Sequence, residues 1–418
     1  PETYIGLSWE ALYNHGNIIN NADPVAYANA RLFSSAGINA ASNLWNVATA
    51  AELIDPVTKS VRPGVTRKFD PENWEDYAFQ NAFRADYNIK MGGSTETGNY
   101  YTSLGYLTDK GYSIKSDFER LSGRVNLDNK VKPWLNAGVN LSFARTTRNN
   151  SGQSNDSGSI FWFMDNIPSI FPLFERDEDG EKIPDPIYGG YLYDYGRATQ
   201  RRFANSTNSL ADATYGLRRA YRNEVNGRAY LNFNIIDGLT FENSLGINYF
   251  HNKNVSRNSK FYGNSFSTNG AISQTRTETF SYTLLNLLRY RKAINELNNI
   301  EVLAAHEVQD FSNNVLSGSK RQLVRDDSEE FDNAVVTFPF SSYEEGFSVE
   351  SFFGQVNYDY SNKYYLSGSL RRDGSSRFIN QKWGTFGSIG GSWVISKEEF
   401  MNDQNLFDYL KVKMSYGV

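Results

Sequence analysis

Three histidines, His15, His251 and His306, are the side chains of this 418-residue chain best suited to move a proton or hold a metal near neutral pH. They are isolated from one another in sequence, so a shared site would need long-range folding. The chain has no cysteine, which removes a thiol nucleophile, a disulfide scaffold and a cysteine zinc site. No serine motif of the G-x-S-x-G kind occurs with a plausible partner. In "RDEDGEKIPD", residues 176–185, Asp177, Asp179 and Glu181 alternate as carboxylates do in calcium loops. The bidentate Glu that such a loop needs is missing, and Gly180 among solvated acids reads as a turn. "RRDGSSRFINQK" gathers Arg371, Arg372, Arg377 and Lys382 around Asp373 and Gly374, as a phosphate site or a hairpin tip would. The whole chain balances 42 Lys+Arg against 47 Asp+Glu for a net charge of −5, so the broad basic footprint of a nucleic-acid binder is absent. No metal, cofactor, nucleic acid or covalent chemistry is expected.

The elements that carry these residues show a different purpose. No stretch approaches the ~20 apolar residues of a membrane helix, and the mean hydropathy is −0.55. Aromatics abound, with 27 Tyr, 28 Phe and 7 Trp, and they favour strands and wet interfaces. Period two dominates. In 81–91, Phe83, Ala85, Tyr87, Ile89 and Met91 oppose Arg84, Asp86, Asn88 and Lys90. The pattern returns in 99–107, 119–128, 134–143, 227–235, 239–250, 278–290 (interrupted by Asn286), 299–309, 350–360, 364–371, 385–396 and 410–417. About twelve strands of up to ~10 residues or more suit a tilted transmembrane wall better than a soluble sandwich, whose strands run to ~5–6.

Connection lengths sort by parity. "DNKVKP", "IDG", "RKAINELNN" and "SNK" are short. Between them fall longer segments, expected as loops at about 147–224, 251–274, 310–348 and 372–384. Short turns on one rim and long loops on the other mark an outer-membrane barrel. Trp134, Tyr358, Tyr360, Tyr364 and Tyr365 cluster at the short-turn ends, where an interfacial girdle belongs. The expected fold is all-β, an antiparallel transmembrane β-barrel over 81–418 with long extracellular loops. Residues 1–80 form a partly helical extracellular segment, with Asp23 before Pro24 as a helix N-cap.

Three separated stretches resemble one family. "NWEDYAFQNAF" with "YNIKMGGSTETGNYYTSLGYLTDKG" (73–111), "SGRVNLDNKVKPWLNAGVNLSF" (122–143), and "RRDGSSRF" with "WGTFGSIGGSWVISKEEFM" and "LKVKMSYGV" (371–418) are similar to SusC/RagA-type TonB-dependent transporters. Gly387 stands where that family usually has Pro, and Ile379 where Gly is common. The resemblance implies a barrel of about 22 strands occluded by a plug, of which this chain would be a middle part lacking the plug. It implies a Gram-negative outer-membrane location and TonB-dependent import of a large nutrient, an oligosaccharide or a peptide. The implied partners are a SusD-like surface lipoprotein and, through the plug-bearing part, TonB–ExbB–ExbD. A passive porin and an adhesive or structural barrel are the alternatives.

Candidate sites follow from that frame. The loop at 147–224 is too aromatic for a solvated segment. Phe161, Trp162, Phe163, Tyr188, Tyr191 and Tyr193 are candidates for substrate or partner contact, against an internal core that folds the loop over the barrel mouth. Arg84, Arg120, Arg124 and Arg228, with Asp86 and Lys90, face the lumen and are expected to meet the plug or water. Arg371 continues the inward face at the barrel mouth, near the plug or substrate path, with Asp373 compensating an arginine.

Overall fold

Alternating side chains dictate a pleated wall with one wet and one apolar face, and such a wall can satisfy its backbone only strand to strand. The computed structural model describes residues 1–152 and 157–418. Four residues of the long loop, 153–156, lie outside the described residues.

The wall is an antiparallel sheet of 13 strands. In chain order these are β3 (Phe83–Ser94), β4 (Gly98–Lys110), β5 (Asp117–Lys132), β6 (Leu135–Asn149), β7 (Leu217–Ile236), β8 (Leu239–Asn258), β9 (Ala271–Asn295), β10 (Asn298–Leu323), β11 (Ala334–Thr337), β12 (Ser341–Tyr360), β13 (Tyr364–Ser375), β14 (Trp383–Val394) and β15 (Lys411–Gly417). Twelve pair in sequence order from β3 to β15, and the short β11 folds back on β10. The register carries each face across the sheet. Leu127, Val139, Ala229, Leu245, Leu284 and Val308 form one apolar row through six strands. Arg124, Ser142, Asn226, Asn248 and Ser281 form a polar row on the other face. Asn286 interrupts the apolar face opposite Asn243, whose amide donates to it.

The strands outrun the expected spans. β10 continues to Leu323 and β12 begins at Ser341, so much of 310–348 is paired strand, not loop. The loops shrink correspondingly to 150–216, 259–270, 324–340 and 376–382. Beyond the apolar belt polar residues stand on both faces beside a small buried cluster of Val255, Ile272, Leu323 and Ala334, so alternation ends while hydrogen bonding continues, as in Ser317–Ser341 and Lys320–Thr337. Strict alternation of connection lengths also fails. The link from β14 to β15, residues 395–410, is long and lies on the short-turn rim. Glu398 ties it there, accepting from Trp393 Nε1 at 2.9 Å, from the Tyr364 hydroxyl, and from Lys363 Nζ at 3.2 Å. Tyr360, Tyr364 and Trp393 stack in line along that rim, with ring centroids 6.2 and 6.3 Å apart.

The largest buried apolar clusters lie beyond the sheet, in a cap made of two chain segments. In the first, α1 (Glu2–Ile18) packs on α2 (Pro24–Leu32), whose Asp23 cap accepts from the N–H groups of Val25 and Ala26. A turn of helix, α3 (Ala50–Leu53), leads into the ribbon β1 (Ile54–Asp55) and β2 (Ser60–Val61), and α4 (Glu75–Ala78) precedes β3. The second segment, 150–216, contributes α5 (Ile160–Asn166) and α6 (Ser209–Tyr215). Ile170 and Phe171 join the core of Trp9, Leu32, Trp45 and Leu53. Trp74 and Ala78 in turn join Ile160, Phe163, Leu173 and Leu210. Trp74 Nε1 donates to the Phe171 carbonyl at 3.0 Å, which fixes the two segments together.

Candidate functional site

The expected loop aromatics divide by burial. Phe163 is fully buried against Trp74 and Phe203, so it is a core residue and not a contact surface. Phe161 packs on Phe79 and Tyr112, and Trp162 stacks on Phe203 at 5.8 Å; both are half-buried. α5 explains the split: its N-cap Ser159 accepts from Trp162 N–H, and the helical turn sends Ile160, Phe163 and Met164 inward. Tyr193 is half-buried between Phe174 and Tyr215. Tyr188 and Tyr191 remain exposed. Tyr188 stacks on Tyr215 at 4.7 Å, and Tyr191 lies beside Phe174 with Lys182 Nζ 5.2 Å from its ring centre.

Sequence reasoning missed the group at the centre of the Tyr188 cluster. Asp185 accepts from the hydroxyls of Tyr215 at 2.8 Å and Tyr262 at 2.7 Å, and from the N–H groups of Ile187 and Tyr188. Burial pushes both tyrosine hydroxyls far up, with the Asp185 hydrogen bond adding to it, so they stay protonated donors. Tyr262 belongs to the 259–270 loop, so Asp185 joins that loop to the cap. An Asp ahead of a Pro-Ile-Tyr turn signalled the local bonds, but not the partner from a loop 77 residues away.

Of the wall arginines, Arg84 pairs with Asp109 across β3 and β4 at 3.3 Å. Arg120, Arg124 and Arg228 are exposed, and their side chains make no hydrogen bond or ion pair among the described residues. By register all four share the polar face. Arg371 is on that face too, and its fork is committed. It donates to Asp373 at 2.7 Å, Ser351 at 2.9 Å and Glu307 at 3.2 Å, and it lies 4.8 Å over the Phe353 ring. The arginine-rich stretch is therefore not a free phosphate cradle. Arg372 and Arg377 rest instead on Trp383 and Phe347. Asp177 accepts from the N–H groups of Asp179 and Glu181, with Gly180 at φ +84°, which is a turn built by its own carboxylate.

A hollow of about 740 Å³ lies near the short-turn ends of β9 to β15. Its lining includes Arg291, Glu301, Asn357, Asp359, Tyr365 and Lys413, which share the polar face by register. Arg291 and Arg289 both pair with Glu301. This lining can take hydrogen bonds and charges of either sign from a protein surface.

A tall antiparallel wall with an apolar belt, a polar face and a folded cap defines the outer-membrane β-barrel class. No family model matches the chain. It is 25% identical over 361 residues to the TonB-dependent receptor SusC of Bacteroides thetaiotaomicron, covering 83% of this chain and 34% of that protein. It is 25% identical over 364 residues to the TonB-dependent receptor P26 of Formosa agariphila, covering 85% and 34%. Among solved structures, the RagAB peptide transporter superposes with a TM-score of 0.68 at 24% identity, over 83% of this chain and 38% of that one. The chain spans about a third of the length of the curated relatives it matches. Over most of its length the chain is thus similar to SusC/RagA-type TonB-dependent receptors, and it shares the fold of their barrel.

Proposed function

We propose that this barrel wall serves TonB-dependent import of a large nutrient, an oligosaccharide or a peptide, across the outer membrane. The observation that carries the reading is the polar face. The side chains of Arg120, Arg124 and Arg228 stand there without partners among the described residues, and the same face carries a polar hollow at the short-turn ends of β9 to β15. A plug seated in the barrel would supply those partners. The short-turn rim then faces the periplasm, where TonB–ExbB–ExbD acts, and the cap faces outside, where a SusD-like lipoprotein would meet the exposed Tyr188 and Tyr191. The names of the relatives support this reading, since they are TonB-dependent receptors and a peptide transporter. Arg371, held by three partners, sets the shape of the wall near the long-loop rim.

The test is energised uptake. Cells carrying the complete gene should take up a defined oligosaccharide or oligopeptide, and a protonophore should abolish that uptake. Uptake that persists at full rate after the proton gradient has collapsed would identify a passive pore instead.

A further inference from the structure

The link from β14 to β15 holds large apolar side chains that no part of the chain covers. Phe400 is 69% exposed, Leu406 79% and Phe407 46%. A loop that faced only water would gain by turning such side chains inward. Apolar groups left uncovered together on a folded segment mark contact with another surface.

The position of Phe400 says which surface. Its ring meets Trp393 edge-on at 6.4 Å. Trp393 stacks on Tyr364, and Tyr364 on Tyr360. By register Tyr360, Tyr364, Trp393 and Val412 form one row across four strands. Ile389, four residues back along β14, alternates onto the same apolar face and is exposed. Phe400 therefore adds a fourth ring to the aromatic line and carries the apolar belt past the end of the strand. Such rings sit at the boundary between lipid and water.

The rest of the link suits that boundary. Its backbone is satisfied from within, as a segment entering the edge of a lipid layer requires. Gln404 Oε1 accepts from the N–H groups of Leu406 and Phe407, both at 2.8 Å, and Gln404 Nε2 donates to the Phe407 carbonyl at 2.8 Å. The N–H groups of Met401 and Asn402 donate to the carbonyls of Glu398 and Glu399. The nearby lysines are committed as well, Lys363 to Glu398 and Lys397 to the Asn362 carbonyl. The carboxylates of Glu399, Asp403 and Asp408 belong to exposed residues, and their hydration limits how deep the link can go.

We propose that the 395–410 link is an interfacial membrane anchor. Phe400, Leu406 and Phe407 enter the phospholipid leaflet at the short-turn rim, while Glu399, Asp403 and Asp408 stay in water. The anchor requires the wall to span the membrane, but it does not require import.

Spin-label accessibility tests this. Residues 1–418 contain no cysteine, so a nitroxide can be placed at one introduced cysteine at a time. The host is the full-length protein, freed of any cysteine elsewhere and reconstituted in phosphatidylethanolamine–phosphatidylglycerol vesicles. Oxygen concentrates in hydrocarbon and a nickel chelate in water, so the ratio of their collision rates reads depth. Ile389→Cys supplies the lipid reference and Asp403→Cys the water reference. The ratios for Phe400→Cys, Leu406→Cys and Phe407→Cys should shift from the Asp403 value toward the Ile389 value. Ratios equal to that of Asp403 would place the link in water and overturn the anchor. Poor access for both reagents would show that protein covers the link, and would overturn it too. If Ile389 itself reads as water, the transmembrane wall fails, and the anchor fails with it.

Discussion

Asp326 sits where two loops of the long-loop rim meet. It accepts from Ser259 Oγ and from Lys260 N–H, both at 3.1 Å. Burial pushes its carboxyl up to about 6 from an ordinary 3.8; the Lys260 hydrogen bond opposes this and the Asp327 charge adds to it. The folded loop therefore favours the neutral form. Its contribution to stability is whole below about pH 4 and is lost as pH rises through about 6. With half the group exposed, the loss is about 1 kcal/mol. Amide protection factors in residues 259–270, corrected for intrinsic exchange, should fall between about pH 4 and 6.5, and Asp326→Asn should flatten that fall. An unchanged profile in the variant would remove Asp326 as the cause.

Gly138 shows how one missing side chain organises three strands. Tyr230 on β7 reaches across β6 to Asp128 on β5, donating at 2.7 Å. A Cβ on Gly138 would stand 2.3 Å from the Tyr230 ring, so only glycine lets the ring lie flat there. Gly138→Ala should displace the ring, break the bond to Asp128 and cost about 1–3 kcal/mol. Urea unfolding of the refolded barrel would read this. The cost should largely vanish in a Tyr230→Ser background, where no ring remains to be pushed. A like cost in both backgrounds would point to the backbone of β6 instead.

At the scale of the molecule, the separate buried clusters of the cap predict that cap and wall lose structure independently. Trp74 is buried between the two cap segments and touches both cores' neighbours through Phe163 and the Phe171 carbonyl. Trp74→Ala should cost the cap about 3–5 kcal/mol while leaving the strand pairing of β3 to β15 intact. Limited proteolysis should then cut within 150–216, while the heat-dependent gel mobility of the barrel stays unchanged. Loss of both together would mean that the cap and wall fold as one unit. The wall was legible in the sequence because lipid on one side and water on the other impose period two on Phe83–Met91 or Leu135–Phe143. The upper halves of β9 and β10 were not, because polar residues such as Gln274, which is buried against the 324–340 loop, and Ser319 leave no alternation to read. The candidate site was legible as aromatic excess but not as geometry. Whether Phe163 or Tyr191 faces inward depends on contacts with Trp74 and Lys182 that no local pattern encodes.

The length of the β9–β10 hairpin has a consequence for the cell surface. Twenty-five and 26 residues at ~3.4 Å each make a ladder of about 85 Å, and a tilt of ~40° leaves a height of about 65 Å. The hydrocarbon needs only ~25 Å of it. More than half of the hairpin is thus a stiff mast, braced at its head by the Arg219–Glu329 and Lys253–Glu330 ion pairs. With the long-loop rim facing outward, as proposed above, anything that approaches the bacterium at this point, from antibody to bacteriophage, would meet protein tens of ångströms before it could touch lipid.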